Sequence, residues 1–232
     1  MSNKISPKGS NKKGVKRRAS KPDGIQVAGI GLLILVAVIA IWSFTSNRPT
    51  GATSQQVQAP TATEKQYASA PPMTIDVNKQ YFANVTMAKG GEFVIQLYPD
   101  KAPITVNSFV FLARDGFFNG TTFHRVLEGF MAQGGDPTGT GKGGPGYQFV
   151  NEKNDLTFDK AGVVAMANSG PNTNGSQFFI TFGPNGLSES DYTIFGQVVS
   201  GMDVVNGITR RDPEQNPNFP GDAIASMTIT EK

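Results

Sequence analysis

Residues 121–149, TTFHRVLEGFMAQGGDPTGTGKGGPGYQF, hold the chain's single histidine, His124, beside Arg125 and ahead of a glycine-rich loop. An imidazole there could serve as a general acid or base near neutral pH; the arginine could serve as a permanently charged hydrogen-bond donor. In an extended segment two neighbours project to opposite faces, so a given cleft receives only one of them. His124 would share its face with Val126, and a lone histidine on an apolar face reads as a satisfied core residue. Arg125 taken alone reads as the partner of a surface ion pair. Composition closes other routes. The absence of cysteine excludes disulfides, thiol catalysis and cysteine-ligated metals. One histidine excludes HExxH and three-histidine zinc sites, and no GxSxG elbow is present. No metal and no cofactor is expected.

The glycine loop resembles nucleotide fingerprints only superficially. GTGKGG (139–144) fits GxGxxG, but Pro145-Gly146 and another strand-like run follow it where a helix is required. A Walker loop fails as well: Asp136 stands where the motif needs glycine, and Gly143 follows Lys142 where it needs serine or threonine. Glycines here suit a backbone that follows a tight path or approaches a ligand closely.

The elements that must position these residues are short. YFANVTM (81–87), EFVIQLY (92–98), AGVVAMA (161–167), SQFFITF (176–182), YTIFGQVV (192–199) and AIASMTIT (223–230) have strand length and β-favouring residues, with Gly, Asn and Pro between them. One helix is predicted from Pro103, with Val106, Phe109, Val110 and Ala113 on one face, ending before Gly116. A second covers Met202–Ile208. Many short strands with few helices imply an all-β barrel or sandwich. In SQFFITF, Gln177, Phe179 and Thr181 share one face, and Phe178, Ile180 and Phe182 the other. Aromatic residues on both faces mean either a core on one side and a pocket on the other, or a strand buried on both sides.

Five stretches together carry a resemblance: APITVNSFVFLARDGFFNGTTF (102–123), FHRV (123–126), GFMAQGGDPTGTGKGGPGYQF (129–149), MANSGPNTNGSQFFIT (166–181) and FGQVVSGMDVV (195–205). Over about residues 76–230 the chain resembles the cyclophilin family of peptidyl-prolyl isomerases. The resemblance implies a mainly β fold, a closed eight-stranded antiparallel barrel capped by two helices. It implies Arg125 as the catalytic residue; Phe130, Met131 and Phe179, with Leu187, as the lining of a proline pocket; and Gln133, Ala167, Asn168 and Gln177 as holders of the flanking peptide. His124 has no catalytic part in that scheme. The sequence departs from the common family pattern at one wall. GPNGLSESDYTIFG (183–196) is one residue longer than usual, Gly186 precedes Leu187 where many members carry tryptophan, and Tyr192, a further substrate-facing position, stands where many carry histidine.

The implied activity is cis-trans isomerisation of X-Pro bonds, with proline-containing polypeptides as substrates. A non-catalytic proline-peptide-binding chaperone or docking module is the alternative, and a purely structural envelope protein a third. The body is expected to be monomeric.

Residues outside the resemblance divide in three. Residues 1–23 carry eight Lys/Arg against Asp23 alone, whereas the rest of the chain has thirteen basic and seventeen acidic residues. A basic tail on a mildly acidic body disfavours nucleic-acid binding by the body. VAGIGLLILVAVIAIWSF (27–44) has 18 residues without charge, and with its flanks (24–45) it reaches roughly the 30 Å of a bilayer core. The basic flank predicts a cytoplasmic N-terminus, and the apolar run exceeds that of an ordinary cleaved signal peptide. An uncleaved single-pass signal anchor is therefore expected, with the C-terminal domain outside the cytoplasm. Residues 46–73, rich in Ser, Thr, Ala, Gln and Pro, read as a flexible linker, and 74–232 as the isomerase domain.

Overall fold

In YFANVTM, Tyr81, Ala83, Val85 and Met87 are buried while the residues between them are only partly so, the period-two pattern of a strand with one face in a core. This is β1 (Tyr81–Met87), which returns through Gly90 and Gly91, both at positive φ, into β2 (Glu92–Leu97) with Tyr81 opposite Leu97. The computed structural model describes residues 65–215 and 217–232. The expected anchor at 24–45 and the basic tail lie outside the described residues. Among the described residues no helix is long and apolar enough to cross a membrane.

Helix α1 (Pro103–Arg114) opens on the expected proline, whose missing N–H is no loss in a first turn. Its first free donors are met from a distant loop. The Glu152 carboxylate accepts the N–H groups of Ile104 (2.9 Å) and Thr105 (2.8 Å) and the Thr105 hydroxyl (2.7 Å), a negative charge at the positive end of the helix. Gly116, at φ 70°, takes the left-handed turn that follows. The chain continues through β3 (Thr122–Phe123), β4 (Arg125–Leu127), β5 (Met131–Gly134), β6 (Val163–Met166), β7 (Phe178–Thr181) and β8 (Ile194–Ser200). A short α2 (Met202–Asn206), a 3₁₀ turn (Pro213–Gln215) and β9 (Asp222–Glu231) complete it.

The strands form one antiparallel sheet in the order β3-β9-β1-β2-β8-β6-β7-β5-β4. Its two ends, β3 and β4, are consecutive in the chain, separated only by His124. The sheet is therefore a nearly closed barrel. Nine segments replace the eight expected because one strand breaks at His124, where the Arg211 guanidinium reaches in to the His124 carbonyl and Val126 pairs with Arg211. Phe93, Ile95, Phe109, Phe118, Phe178 and Phe195 fill the main core with the other inward residues. Phe109 packs edge-on to Phe178 with ring centres 5.4 Å apart.

One further expectation changes. Residues 65–73 belong by composition to the expected flexible linker, yet several of them bond to the barrel. The Tyr67 N–H donates to the Pro145 carbonyl (2.8 Å), and the Tyr67 ring packs on Phe111 at 5.1 Å. Asn107, on α1, donates to the carbonyl of Pro72 and accepts from the Thr74 N–H. A partly buried aromatic and bonded backbone groups hold a segment whose composition alone suggests a coil.

Candidate active site

The barrel wall made by β4, β5, β7 and β6 has two different faces. Ala132, Val164, Met166, Phe178 and Ile180 point into the main core. From the opposite face Met131, Val163, Ala165 and Phe179 join Phe158 and Ile194 in a second, separate apolar cluster. SQFFITF is thus buried on both sides, one side being core and the other this cluster.

Register places the expected catalytic residue beside it. Arg125 is opposite Gln133, Gln133 is opposite Phe179, and Phe179 is opposite Ala165. Cross-strand partners share a face, so Arg125, Gln133, Phe179 and Ala165 form a row across four strands. Leu127 and Met131 make the next row. The Arg125 guanidinium lies against the cluster, its Nη1 4.0 Å from the Met131 sulfur, and makes no ion pair among the described residues. Apart from that contact with sulfur, its guanidinium N–H groups have no hydrogen-bond partner among the described residues.

Phe130, Ala167, Leu187 and Tyr192 pack around the cluster as partly buried residues. Phe158 stacks on Phe179 (5.9 Å, 22° between planes), and Tyr192 meets Phe179 edge-on at 5.5 Å. Leu187 thus reaches the wall despite the longer loop, where Asn185 holds it: the Leu187 N–H donates to the Asn185 side chain at 3.1 Å, and the Asn185 N–H to the Phe158 carbonyl at 3.2 Å. Phe158 and Leu156 escaped the sequence reading. The one available signal was two apolar residues standing in the otherwise polar stretch NEKNDLTFDK.

A polar cleft of about 780 Å³ opens beside the apolar cluster, and Gln133, Ala167, Asn168 and Gln177 all line it. Gln133 donates to Gln177 (3.0 Å), and Gln177 donates to the Gly143 carbonyl (2.9 Å). Asn168 donates to the Asp191 carbonyl (2.8 Å), which fixes the cleft's far wall to the loop that carries Tyr192. The glycine loop is held from beneath by Asp136. That carboxylate is fully buried and accepts four bonds, from the Thr138 N–H (2.7 Å) and hydroxyl (2.8 Å) and from the N–H groups of Gly141 (2.6 Å) and Gly143 (3.1 Å). Burial pushes the Asp136 carboxyl up, but the bonds from Thr138, Gly143 and Gly141 outweigh it and hold it below the ordinary carboxylate range. The glycines thus cradle a carboxylate of the protein's own.

His124 is 2% exposed and lies against the glycine loop, its Nε2 3.7 Å from where a Cβ on Gly141 would stand, while Arg125 lies against the apolar cluster. The expectation of a satisfied core histidine is corrected in one respect: neither ring nitrogen has a hydrogen-bond partner among the described residues. Burial, opposed by the nearby Asp136 charge, depresses its pKa and keeps it neutral.

Comparisons with known proteins bear on the fold and the family. A family model described as cyclophilin type peptidyl-prolyl cis-trans isomerase/CLD matches residues 82–229. Peptidyl-prolyl cis-trans isomerase-like 1 of Mus musculus is 49% identical over 133 residues, covering 55% of this chain and 80% of that protein. Peptidyl-prolyl cis-trans isomerase ppi1 of Schizosaccharomyces pombe is 44% identical over 154 residues, covering 63% of this chain and 99% of that protein. Among solved structures, a cyclophilin type isomerase of Cryptosporidium parvum superimposes with a TM-score of 0.57 at 32% identity, covering 65% of this chain and 98% of that one. The same protein, in a structure obtained in the presence of the dipeptide Ala-Pro, gives a TM-score of 0.56 at 32% identity, covering 64% of this chain and 98% of that one. By the family model and these relatives, the chain belongs to the cyclophilin-type family of peptidyl-prolyl cis-trans isomerases and is an enzyme of that class.

Proposed function

We propose that the enzyme rotates X-Pro bonds of unfolded or exported polypeptides, with Arg125 donating to the prolyl nitrogen in the twisted transition state. The observation that carries this reading is the row Arg125–Gln133–Phe179 on one face of the barrel wall. A proline ring seated on Phe179, Phe130 and Met131 would bring its nitrogen to the edge of the cluster that the guanidinium borders.

The chemistry asks for no nucleophile. Amide resonance gives the bond a barrier of roughly 18–20 kcal/mol, and the two isomers exchange over tens to hundreds of seconds. No bond breaks, so the enzyme needs only to bind the twisted amide better than either planar form. At the twist the prolyl nitrogen regains a lone pair. A permanently charged donor stabilises it without proton transfer. Raising about 10⁻² s⁻¹ to about 10–10³ s⁻¹ takes roughly 4–7 kcal/mol, within reach of one preorganised charged hydrogen bond plus fixation of the ring and the flanking backbone.

The test is cis-trans exchange of a short X-Pro peptide, followed by NMR with the full chain, the Arg125→Ala and the Arg125→Lys variants. Accelerated exchange that falls about 10²–10³-fold in both variants, as when one preorganised transition-state donor is removed, supports the assignment. Peptide binding without acceleration would move the chain to the chaperone or docking class.

The second part of the proposal is topology: residues 24–45 span a membrane once, with the N-terminus cytoplasmic and the barrel outside. Its support is the uncharged run 27–44 behind eight basic residues. Protease added to sealed cytoplasmic-side-in membranes should degrade the barrel and spare the tail; the reverse pattern refutes it.

A further inference from the structure

The segment just before the family-matched region does more than lead into the barrel. Tyr67 is clamped at three points: its N–H donates to the Pro145 carbonyl (2.8 Å), its hydroxyl donates to Asp115 (2.6 Å), and its ring packs on Phe111. Lys65 reaches the same Asp115 carboxylate at 2.9 Å. Gln66, between them, faces the polar cleft and lines it, its Nε2 donating to the Gly144 carbonyl (3.0 Å). The cleft loop is fitted to this segment. Gly146 sits at φ 92°, and a Cβ there would lie 2.7 Å from the Tyr67 carbonyl oxygen and 2.8 Å from Gln66 Oε1. Only glycine lets loop and segment come so close.

The wall thus completed has a definite chemistry. Among the described residues that line the cleft, Lys142 alone is charged, and its neighbours Gln66, Gln133, Asn168 and Gln177 carry carboxamides. A carboxamide with one hydrogen committed keeps a second donor and an acceptor oxygen. Along β5 the step from Met131 in the apolar cluster to Gln133 at the cleft is two residues, about 6.6 Å. An extended peptide with proline on the cluster therefore reaches the cleft two or three residues away.

We propose that Lys65–Tyr67 is a wall of the substrate cleft and that Gln66 is a specificity-determining residue, selecting peptides with a carboxylate or carboxamide side chain two or three residues from the proline. This rests on the peptide-binding reading above and adds to it a residue outside the family-matched span.

The test titrates ¹⁵N-labelled full chain with pentapeptides and heptapeptides centred on Ala-Pro, carrying Gly, Gln or Glu two and three positions to either side. Dissociation constants are read from shifts at Gln66, Lys142 and Asn168. The native chain is expected to favour Glu and Gln over Gly at one of these positions. Gln66→Ala should shrink that preference roughly three- to tenfold, the worth of one hydrogen bond. Gln66→Glu should retain the Gln peptide and lose the Glu peptide, with melting curves confirming that both variants fold. Equal preference in the native chain and both variants, or no preference in the native chain, would overturn the proposal. Binding and turnover separate the two readings. Loss of exchange acceleration with the binding preference intact sinks the Arg125 mechanism alone, and intact acceleration with no Gln66 dependence sinks the wall alone.

Discussion

Replacing Asp136 by asparagine changes one buried oxygen into an NH₂ group and leaves the shape nearly unaltered. One carboxylate oxygen accepts from Thr138 N–H and hydroxyl, the other from the N–H groups of Gly141 and Gly143. Turned toward Gly141 and Gly143, its NH₂ confronts two N–H donors; turned toward Thr138 it confronts one, because the Thr138 hydroxyl can reverse and accept. At about 1–2 kcal/mol for the one N–H left unmet in the better orientation, and about 1–2 kcal/mol for the charge withdrawn from the remaining bonds, the loss is about 2–4 kcal/mol. For a body of this size that corresponds to roughly 5–15 °C in Tm, measurable by calorimetry or circular dichroism at pH 7. The sign with pH is fixed. The folded-state pKa is depressed, so this stabilisation is present above the unfolded value of about 3.9 and is lost as pH falls through the folded value. The gap between native chain and variant should therefore narrow below about pH 4. Gly143 also accepts from Gln177, so peptide affinity should fall together with stability. A variant that melts within 2 °C of the native chain at pH 7 would refute the claim that the glycine loop is organised around this carboxylate.

Other perturbations probe separate parts of the site. Phe179→Ala removes the ring between Phe158 and Tyr192 and should cost about 3–5 kcal/mol, with a raised KM for X-Pro peptides, by thermal unfolding and exchange kinetics. Glu152→Gln withdraws the charge from the start of α1 and should cost about 1–2 kcal/mol while leaving turnover unchanged. His124 is held neutral when folded, so below about pH 6.5 the unfolded chain takes up a proton that the folded chain refuses. Stability should fall with pH from there down to the folded pKa. His124→Gln should abolish that component and keep turnover at pH 7; loss of turnover in the folded variant would reverse the roles assigned to His124 and Arg125.

The strongly patterned elements were legible because their signals are local. Alternation marks β1, and the proline and glycine at its two ends frame α1. Two aromatic faces on SQFFITF foretold a second apolar surface, and the register of three strand pairs then turned it into a site. What stayed hidden depends on distant partners. The break at His124 comes from Arg211, 87 residues on, and nothing in TTFHRV signals it. The docking of Lys65–Tyr67 needs Asp115, Pro145 and Phe111 to be assembled first, so composition reads only a coil. Phe158 joins the pocket through a loop without periodicity.

The barrel closes through its last strand. β9 pairs with β1 along its length and with β3 at its start, and Gln80 and Lys232 exchange backbone bonds at the seam. During synthesis β1 leaves the ribosome some 140 residues ahead of its partner, and β3 about 100 ahead. Until β9 emerges, two strand edges stand open to any passing chain, and the long loop between the paired strands must be closed at once when it arrives. Every chain thus spends most of its translation with an incomplete barrel. A product stopped twenty residues early would keep all of Arg125, Phe130, Met131 and Phe179 yet lack the strand that holds them in a closed wall, and it would be cleared as an aggregation-prone fragment.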